Sequence, residues 1–253
     1  MRLNIYYSGI RVAEWEDGRF SYEAGLYPVP GILKGMLPED LSVILKEAQK
    51  AIDLGLSSFT LPGGQSYSKA DEGLYIQHDV KYPIDIFTEG GKVRGFCQPA
   101  LTAIIIGAEE GFEAKTPLAG WQELYGTGRY GLAAPEPFEV VTRDGIRLAG
   151  DLYIPSGAEL PLPCVLIRTP YGKENCVDEI LPFVLRGFAG VVQDTRGRHA
   201  SEGVWEPCMH EICDGEDTLK AIAASPWCSG SIGMFGASYK GYAQWAAAAS
   251  HDA

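Results

Sequence analysis

The feature that most constrains the fold is an alternation of strand-like and helix-like segments after residue 138. Residues 138–142 and 146–154 are β-like runs that flank Asp144-Gly145, and an Asp-Gly pair between such runs is a strong hairpin signal. Further segments then alternate between strand and helix: 163–169, 176–186, 188–193, 211–224, 232–235 and 238–250. This order predicts parallel strands joined by crossover helices, and hence an α/β sheet with both faces covered.

A composition break precedes this region. Two prolines and small residues at Ala133-Ala134-Pro135-Glu136-Pro137 form a linker that divides the chain into domains 1–133 and 134–253. The first is predicted to be a separate small mixed α+β domain of unknown role. Its one clear helix is residues 41–54, because apolar side chains recur there at helical spacing. They are Ile44, Leu45, Ala48 and Ile52.

The rest of the first domain is predicted to form strands and turns. Residues 82–88 and 93–97 flank a Glu-Gly-Gly-Lys turn and predict a hairpin, and residues 101–107 predict a buried strand. No family resemblance is found in residues 1–133.

Composition excludes several functional classes. The chain is 46% hydrophobic and 21% charged, which is ordinary for a globular protein. Its formal net charge of −12 at pH 7, with no cluster of Lys and Arg, argues against nucleic acid or an anionic membrane as partner. The six cysteines are irregularly spaced and no export signal precedes them, which favours reduced thiols and a cytoplasmic location. The oligomeric state stays open.

Ser238 lies between the last predicted strand and the last predicted helix. A nucleophile elbow occupies such a junction, and it needs small residues because the chain reverses sharply there. Gly236 stands two residues before the serine, whereas Lys240 stands two residues after it and the second glycine is displaced to Gly241. The alternative is a serine that only caps the helix.

Six sequence words after residue 136 carry a family resemblance: Arg168-Thr169-Pro170-Tyr171-Gly172-Lys173, Arg186-Gly187-Phe188-Ala189, Gln193-Asp194-Thr195-Arg196-Gly197-Arg198, Ser201-Glu202-Gly203 with Trp205, Asp214-Gly215-Glu216-Asp217, and Pro226-Trp227 through Gly236-Ala237-Ser238-Tyr239. Their order resembles the X-prolyl dipeptidyl-peptidase family with its CocE/NonD (cocaine-esterase-like) acyl hydrolases. The resemblance covers about residues 136–253. It implies the N-terminal part of an α/β-hydrolase sheet, with a hairpin followed by parallel strands and crossover helices.

The resemblance also implies roles for particular residues. Ser238 would attack an ester or amide carbonyl and form an acyl-enzyme. The backbone N–H of Tyr239 and the phenol of Tyr171 would stabilise the oxyanion. Tyr171 follows a predicted strand, so it belongs at the same sheet edge as Ser238, although a half-buried loop aromatic is the alternative.

Four further residues are assigned structural roles. Asp194 and Arg196 follow the next predicted strand and are interpreted as an ion pair that braces the loops. Asp194 is not assigned as the triad acid, because that acid follows the serine along the chain in this fold. Trp205 and Trp227 are interpreted as packing aromatics.

A serine needs a base, and no histidine of the chain suits Ser238 well. His251 is on the same predicted helix, roughly 20 Å away at the helical rise. His78 lies in the first domain, and His210 opens a helix. His199 reaches the right edge but precedes the serine. We therefore expect truncation: a hydrolase domain that ends just after the nucleophile helix, without its Asp and His, inactive alone and with an open sheet edge.

Two other motifs are set aside. Gly126-Thr127-Gly128-Arg129-Tyr130-Gly131 matches a dinucleotide fingerprint, but it neither follows a clear strand nor opens a helix. Cys208-Met209-His210-Glu211-Ile212-Cys213 offers two or three metal ligands, whereas structural zinc needs four at paired spacings. No cofactor and no metal are therefore implied.

Three functions are carried forward. The first is a serine hydrolase that cleaves esters or amides, with a small-molecule ester or a short peptide, X-prolyl dipeptides included, as substrate. The second is a non-catalytic, hydrolase-like binding or regulatory protein. The third is an acyltransferase that uses the same acyl-enzyme.

Overall fold

The computed structural model describes residues 1–128 and 130–250. The chain divides into two compact units, Met1–Thr127 and Gly128–Ala253. The observed boundary lies a few residues before the predicted one at 133/134. The reason is that β10 (Gly131–Leu132) pairs with β13 (Pro155–Ser156) of the second unit. In the described ranges no helix has the length and apolar character needed to cross a membrane.

The first unit is built on one nine-stranded antiparallel sheet. Its strands are β1 (Arg2–Tyr7), β2 (Ile10–Glu16), β3 (Arg19–Tyr22), β4 (Ser58–Thr60), β5 (Ser66–Asp71), β6 (Leu74–Gln77), β7 (Asp85–Glu89), β8 (Lys92–Pro99) and β9 (Ile104–Ala108). Their order is β3-β2-β1-β9-β8-β7-β6-β5-β4. The hairpin predicted around Gly90-Gly91 is β7 paired with β8. The predicted strand at 101–107 is β9, which is buried along its whole length.

Three α-helices accompany this sheet, α1 (Val29–Met36), α2 (Leu41–Asp53) and α3 (Leu118–Tyr125). The prediction for residues 41–54 corresponds to α2, whose buried face includes Ile44, Leu45 and Ala48. The expectation of a single helix was wrong. Pro28 and Pro30 obscured α1, although proline is tolerated in a first helical turn because the N–H groups there have no intrahelical partner.

The second unit contains a five-stranded mixed sheet. Its strands are β11 (Glu136–Val141), β12 (Arg147–Tyr153), β14 (Leu162–Thr169), β15 (Ala189–Asp194) and β16 (Cys228–Met234), in the order β11-β12-β15-β14-β16. β11 and β12 form an antiparallel hairpin, and β12 also pairs antiparallel with β15. β14 is parallel to both β15 and β16. The carboxyl ends of β14, β15 and β16 therefore share one edge.

Helix α4 (Val177–Val184) connects β14 to β15, α5 (Glu211–Ala223) connects β15 to β16, and α6 (Tyr239–Ala248) follows β16. The connections from β14 to β15 and from β15 to β16 run in opposite directions across the sheet. Because such crossovers are right-handed, α4 and α5 lie on opposite faces. Buried apolar side chains of β14 and β15, such as Leu166 and Val191, form the core with Ile222 of α5.

Candidate active site

Ser238 occupies a sharp bend between β16 and α6. Its backbone has φ 59° and ψ −126°, a conformation that L-residues rarely adopt and that costs on the order of 1–3 kcal/mol. Its side chain makes no capping hydrogen bond to α6. The alternative of a serine that serves as a helix cap is therefore wrong, and the strained bend has to be held by its surroundings.

Gly236 is required at this bend. It has φ +130°, and a Cβ there would lie 2.6 Å from Cβ of Lys240. Its carbonyl oxygen accepts a hydrogen bond of 2.8 Å from the side-chain amide Nε2 of Gln244. Gly241 is different, because the nearest atom to an added Cβ is the Gly236 carbonyl oxygen at 3.5 Å. The bend therefore depends on the first glycine and has room at the second.

Tyr171 lies beside the serine. Its phenol oxygen is 3.4 Å from Oγ of Ser238, and its side chain is 47% exposed. Two side chains hold the backbone of Tyr171: its N–H donates to Oγ1 of Thr169, and Nδ2 of Asn175 donates to its carbonyl oxygen. The phenol thus stands at the edge where β14 and β16 end.

Tyr239 is the first residue of α6. Its backbone N–H belongs to the first turn, where amides have no intrahelical acceptor. This N–H lies directly after Ser238 in the chain. The bend therefore combines a hydroxyl, a first-turn amide donor and a phenol within one small region, and acyl transfer uses these groups together with a base.

The predicted ion pair between Asp194 and Arg196 is wrong. The Arg196 guanidinium instead binds Asp144 in the β11–β12 turn and Asp214 on α5, each at 2.6 Å. Asp194 accepts backbone N–H groups from Lys173 and Ala200. Burial raises the pKa of Asp194, and these N–H donors oppose that rise. Each residue braces the loops through its own partners.

Two buried carboxylates near the bend were not predicted. Glu211 on α5 accepts the Tyr239 phenol at 3.0 Å, and Glu179 on α4 pairs with the Lys240 ammonium. For Glu179 the sequence held one indication: Lys240 stands where a nucleophile elbow usually has a small residue, and a lysine there needs a partner. Nothing in the local sequence indicated which acids would meet these side chains.

No histidine is placed as a base for Ser238 within the described ranges, where Tyr171 is the hydrogen-bond partner of its hydroxyl. His199 contacts the Pro170 carbonyl through Nε2 at 3.2 Å. His210 pairs with Glu206, also through Nε2, at 2.8 Å. His251 lies outside the described residues.

His78 makes an unpredicted contact in the first unit. Its Nε2 is 2.6 Å from Oγ of Ser68, and both residues are partly buried. A serine within hydrogen-bond distance of an imidazole has the first element of a nucleophile–base pair. Ser68 is therefore a necessary control in any labelling experiment on this chain.

The structure assigns no metal or cofactor role to the remaining motifs in its described residues. Cys208 and Cys213 are exposed free thiols. Over residues 1–128 and 130–250 no group of three or more His, Cys, Asp or Glu side chains could hold a metal ion. Trp205 packs on the Tyr239 ring at 5.3 Å and Trp227 on Phe138 at 5.8 Å. The dinucleotide-like motif includes Arg129, which is outside the described residues.

Part of this chain is similar to a known protein family. Residues 144–253 match the family described as X-Pro dipeptidyl-peptidase (S15 family). We call residues 144–253 the S15 segment. The S15 segment includes Ser238 and Tyr171, and the resemblance predicted from the six sequence words is confirmed over it.

Relatives of the S15 segment include the cocaine esterase of Rhodococcus sp. (strain MB1 Bresler), 48% identical over 117 residues. That alignment covers 44% of this chain and 20% of the relative, so the chain spans about a fifth of its length. A solved α-amino acid ester hydrolase is 25% identical with a TM-score of 0.41, over 47% of this chain and 23% of that one. A CocE/NonD family hydrolase from Staphylococcus aureus is 25% identical with a TM-score of 0.39, over 46% and 24%.

Proposed function

We propose that this chain carries the nucleophile half of a serine hydrolase that cleaves ester or amide acyl bonds. Ser238 Oγ attacks the carbonyl carbon, and its proton passes to a base and then to the leaving alcohol or amine. Water attacks the resulting acyl-enzyme and releases the carboxylic acid. The Tyr239 N–H and the Tyr171 phenol donate to the oxyanion in both steps.

One observation carries the proposal. Ser238 sits in a strained bend at the end of a parallel strand, with the Tyr171 phenol 3.4 Å from its hydroxyl. Strain at a non-glycine residue persists only where the surroundings enforce it, and it concentrates at functional sites. The S15 family match and the esterase relative support the same chemistry.

The substrate class follows from the relatives' names. An X-Pro dipeptidyl-peptidase family and a cocaine esterase together indicate substrates in which an amine or an alcohol leaves the acyl group. We therefore propose a small-molecule ester or a short peptide as substrate. The chain's many acidic groups, with a net charge of −12, disfavour a strongly anionic substrate.

The proposed base and acid are not among the side chains that contact the Ser238 hydroxyl in the described part of the chain. A serine hydroxyl is a poor nucleophile at neutral pH without a positioned base. We propose that a histidine and a carboxylate from outside residues 1–250 complete the site. The chain alone is then expected to be inactive, and a longer protein that carries it is expected to be active.

A fluorophosphonate probe tests this function. In a longer protein carrying the chain, we expect covalent labelling of Ser238, mapped by peptide mass spectrometry, and loss of that label in Ser238→Ala. Ser68→Ala is the matched control, because Ser68 is the serine that contacts a histidine, and it should leave the Ser238 label intact. Persistent labelling of Ser238→Ala at another residue, or no label at Ser238, would refute the proposal.

The same experiment separates two alternatives. The lack of a base near Ser238 among the described residues favours a non-catalytic, ligand-binding role, which predicts no label in any length of the protein. An acyltransferase predicts labelling of Ser238. It is recognised by transfer of the acyl group to a competing alcohol or amine in product analysis.

A further inference from the structure

The two residues that follow Ser238 each end on a buried carboxylate. The Tyr239 phenol donates to Oε1 of Glu211, and the Lys240 ammonium binds Oε1 of Glu179. Glu211 is 3% exposed and Glu179 is 7% exposed. Buried carboxylates are costly unless they are paired or hydrogen-bonded, and each of these contacts satisfies one carboxylate oxygen.

We call the Tyr239–Glu211 and Lys240–Glu179 contacts the Glu211 anchor and the Glu179 anchor. The two anchors lie on opposite sides of the sheet. Glu211 is the first residue of α5, whereas Glu179 belongs to α4 on the other face. Tyr239 and Lys240 therefore fasten the start of α6 to both helical layers. A bend fixed from two directions has little freedom to relax.

The negative charge of Glu211 is balanced by a buried arginine. The fully buried guanidinium of Arg168 on β14 binds Glu211 and also donates through Nε to Gln193 at 2.9 Å. Burial raises the pKa of the Tyr239 phenol, and the negative charge of Glu211 raises it further. The phenol therefore stays protonated and donating at neutral pH, and the anchor does not weaken there.

In the Glu179 anchor, the Lys240 ammonium also lies near Tyr171, the second proposed oxyanion donor. The Lys240 ammonium lies 6.0 Å from the centre of the Tyr171 ring, within the range of a cation–π contact. It also lies 3.8 Å from Sγ of Cys176, which in turn donates to the Thr169 hydroxyl that accepts the Tyr171 N–H. Lys240 thus connects the serine bend with the loop that presents Tyr171.

We propose that Glu211 and Glu179 are positioning residues that fix the relative positions of Ser238, the Tyr239 N–H and the Tyr171 phenol. We call the two anchors together the clamp. The kinetic consequence rests on the proposed function, whereas the structural consequence does not. A displacement of reacting groups by about 1 Å can cost on the order of a hundredfold in rate. The clamp is therefore expected to affect turnover rather than substrate binding.

The structural arm of the test uses the chain itself. The Tyr242 amide donates to the Ser238 carbonyl, so its hydrogen exchange, measured by NMR, reports the bend. Tyr239→Phe removes the hydroxyl that donates to Glu211 and accepts the Cys208 N–H, and Lys240→Met removes the ammonium that binds Glu179. We expect each to accelerate Tyr242 exchange at least about tenfold, with the β14 and β15 amides unchanged. Exchange within about twofold of wild type in both variants would overturn the clamp.

Two further variants complete this arm. Tyr242→Phe is the matched control, because its phenol donates to the Cys208 carbonyl rather than to a buried carboxylate. It should leave the exchange of its own amide unchanged. Lys240→Arg restores a cation for Glu179 and should return the exchange rate toward wild type. Failure of this rescue, with Lys240→Met and Lys240→Arg equally fast, would contradict an ionic anchor.

The kinetic arm uses a longer, active protein that carries the chain. Tyr239→Phe and Lys240→Met should each lower kcat for a chromogenic ester at least about tenfold while KM changes less than about threefold. Unchanged kcat in both would overturn the positioning role. If the wild-type protein neither hydrolyses esters nor labels at Ser238, the proposed function has failed, and the exchange result still decides the clamp.

Discussion

The phenol oxygen of Tyr171 and the hydroxyl of Ser238 lie 3.4 Å apart although 67 residues separate them along the chain. The contact exists because β14 and β16 are parallel neighbours, so the loops that leave their carboxyl ends meet at one edge. A phenol aimed at a strained serine is well placed to stabilise negative charge that develops on a bonded carbonyl.

Tyr171→Phe tests this arrangement. The substitution keeps the ring and removes the donor, so a longer active protein should lose about 10²- to 10³-fold in kcat, with little change in KM. Steady-state kinetics with an activated ester provides the measurement. Tyr242→Phe serves as the control and should retain activity. A Tyr171→Phe enzyme with wild-type kcat would remove the phenol from the mechanism.

Gly236 and Gly241 should respond oppositely to alanine. At Gly236 a Cβ would meet Lys240 at 2.6 Å, at a positive φ, so Gly236→Ala should lower the free energy of unfolding by roughly 2–4 kcal/mol. At Gly241 the contact is ordinary, and alanine favours the helix by about 0.5–1 kcal/mol. Urea denaturation of the chain separates the two cases. Equal stability of both variants would show that the bend is not enforced as described.

Much of the second unit could be predicted from sequence because its signals are local. An Asp-Gly turn, alternating apolar strands and periodic helices lie between 136 and 250, and strand ends brought Ser238 and Tyr171 to the same edge. The side-chain partners could not be predicted in this way. Arg196 binds Asp144 and Asp214 rather than Asp194, because the direction of each side chain depends on the assembled loops.

The first unit was harder to predict for a physical reason. Most of its strands pair with their neighbours in sequence, but β1 pairs with the distant β9, and several strands are short and polar. Local alternation is weak in such strands. Likewise, the anchors at Glu179 and Glu211 arise where α4 and α5 come close to α6, and no spacing in the sequence encodes that proximity.

Asp144 gives a pH-dependent prediction. Hydrogen bonds from the Arg196 guanidinium hold the pKa of Asp144 well below its usual range. A carboxyl with a lowered pKa in the folded state contributes stability above the unfolded pKa of about 3.9, and that contribution is lost as pH falls further. Asp144→Asn should therefore be less stable than wild type at pH 7, and the difference should shrink below about pH 4.

Thermal unfolding at a series of pH values from 7 to the acid range measures this difference. Both proteins become less stable in acid through their other carboxyls, so the quantity of interest is the gap between them. A gap that stays constant through the acid range would contradict the assigned Arg196–Asp144 interaction.

Gly107 in β9 provides a test of the first unit. A Cβ there would lie 2.2 Å from the ring of the fully buried Phe96, so Gly107→Ala should destabilise the nine-stranded sheet by about 1–3 kcal/mol or more. Gly120→Ala in α3 is the control, because an added Cβ meets no atom within 4 Å. Limited proteolysis, with cleavage sites mapped, should show faster cutting in residues 1–127 for Gly107→Ala only. Equal resistance of the two variants would contradict the packing described for β8 and β9.

The central claim is that Ser238 is a nucleophile facing two preorganised donors. The most direct test is a crystal structure of a longer protein carrying this chain after reaction with a phosphonate ester. We expect phosphorus bonded to Oγ of Ser238 and a phosphonyl oxygen about 2.7–3.1 Å from both the Tyr239 nitrogen and the Tyr171 phenol oxygen. An adduct on a different residue, or an oxygen directed away from both donors, would contradict the account.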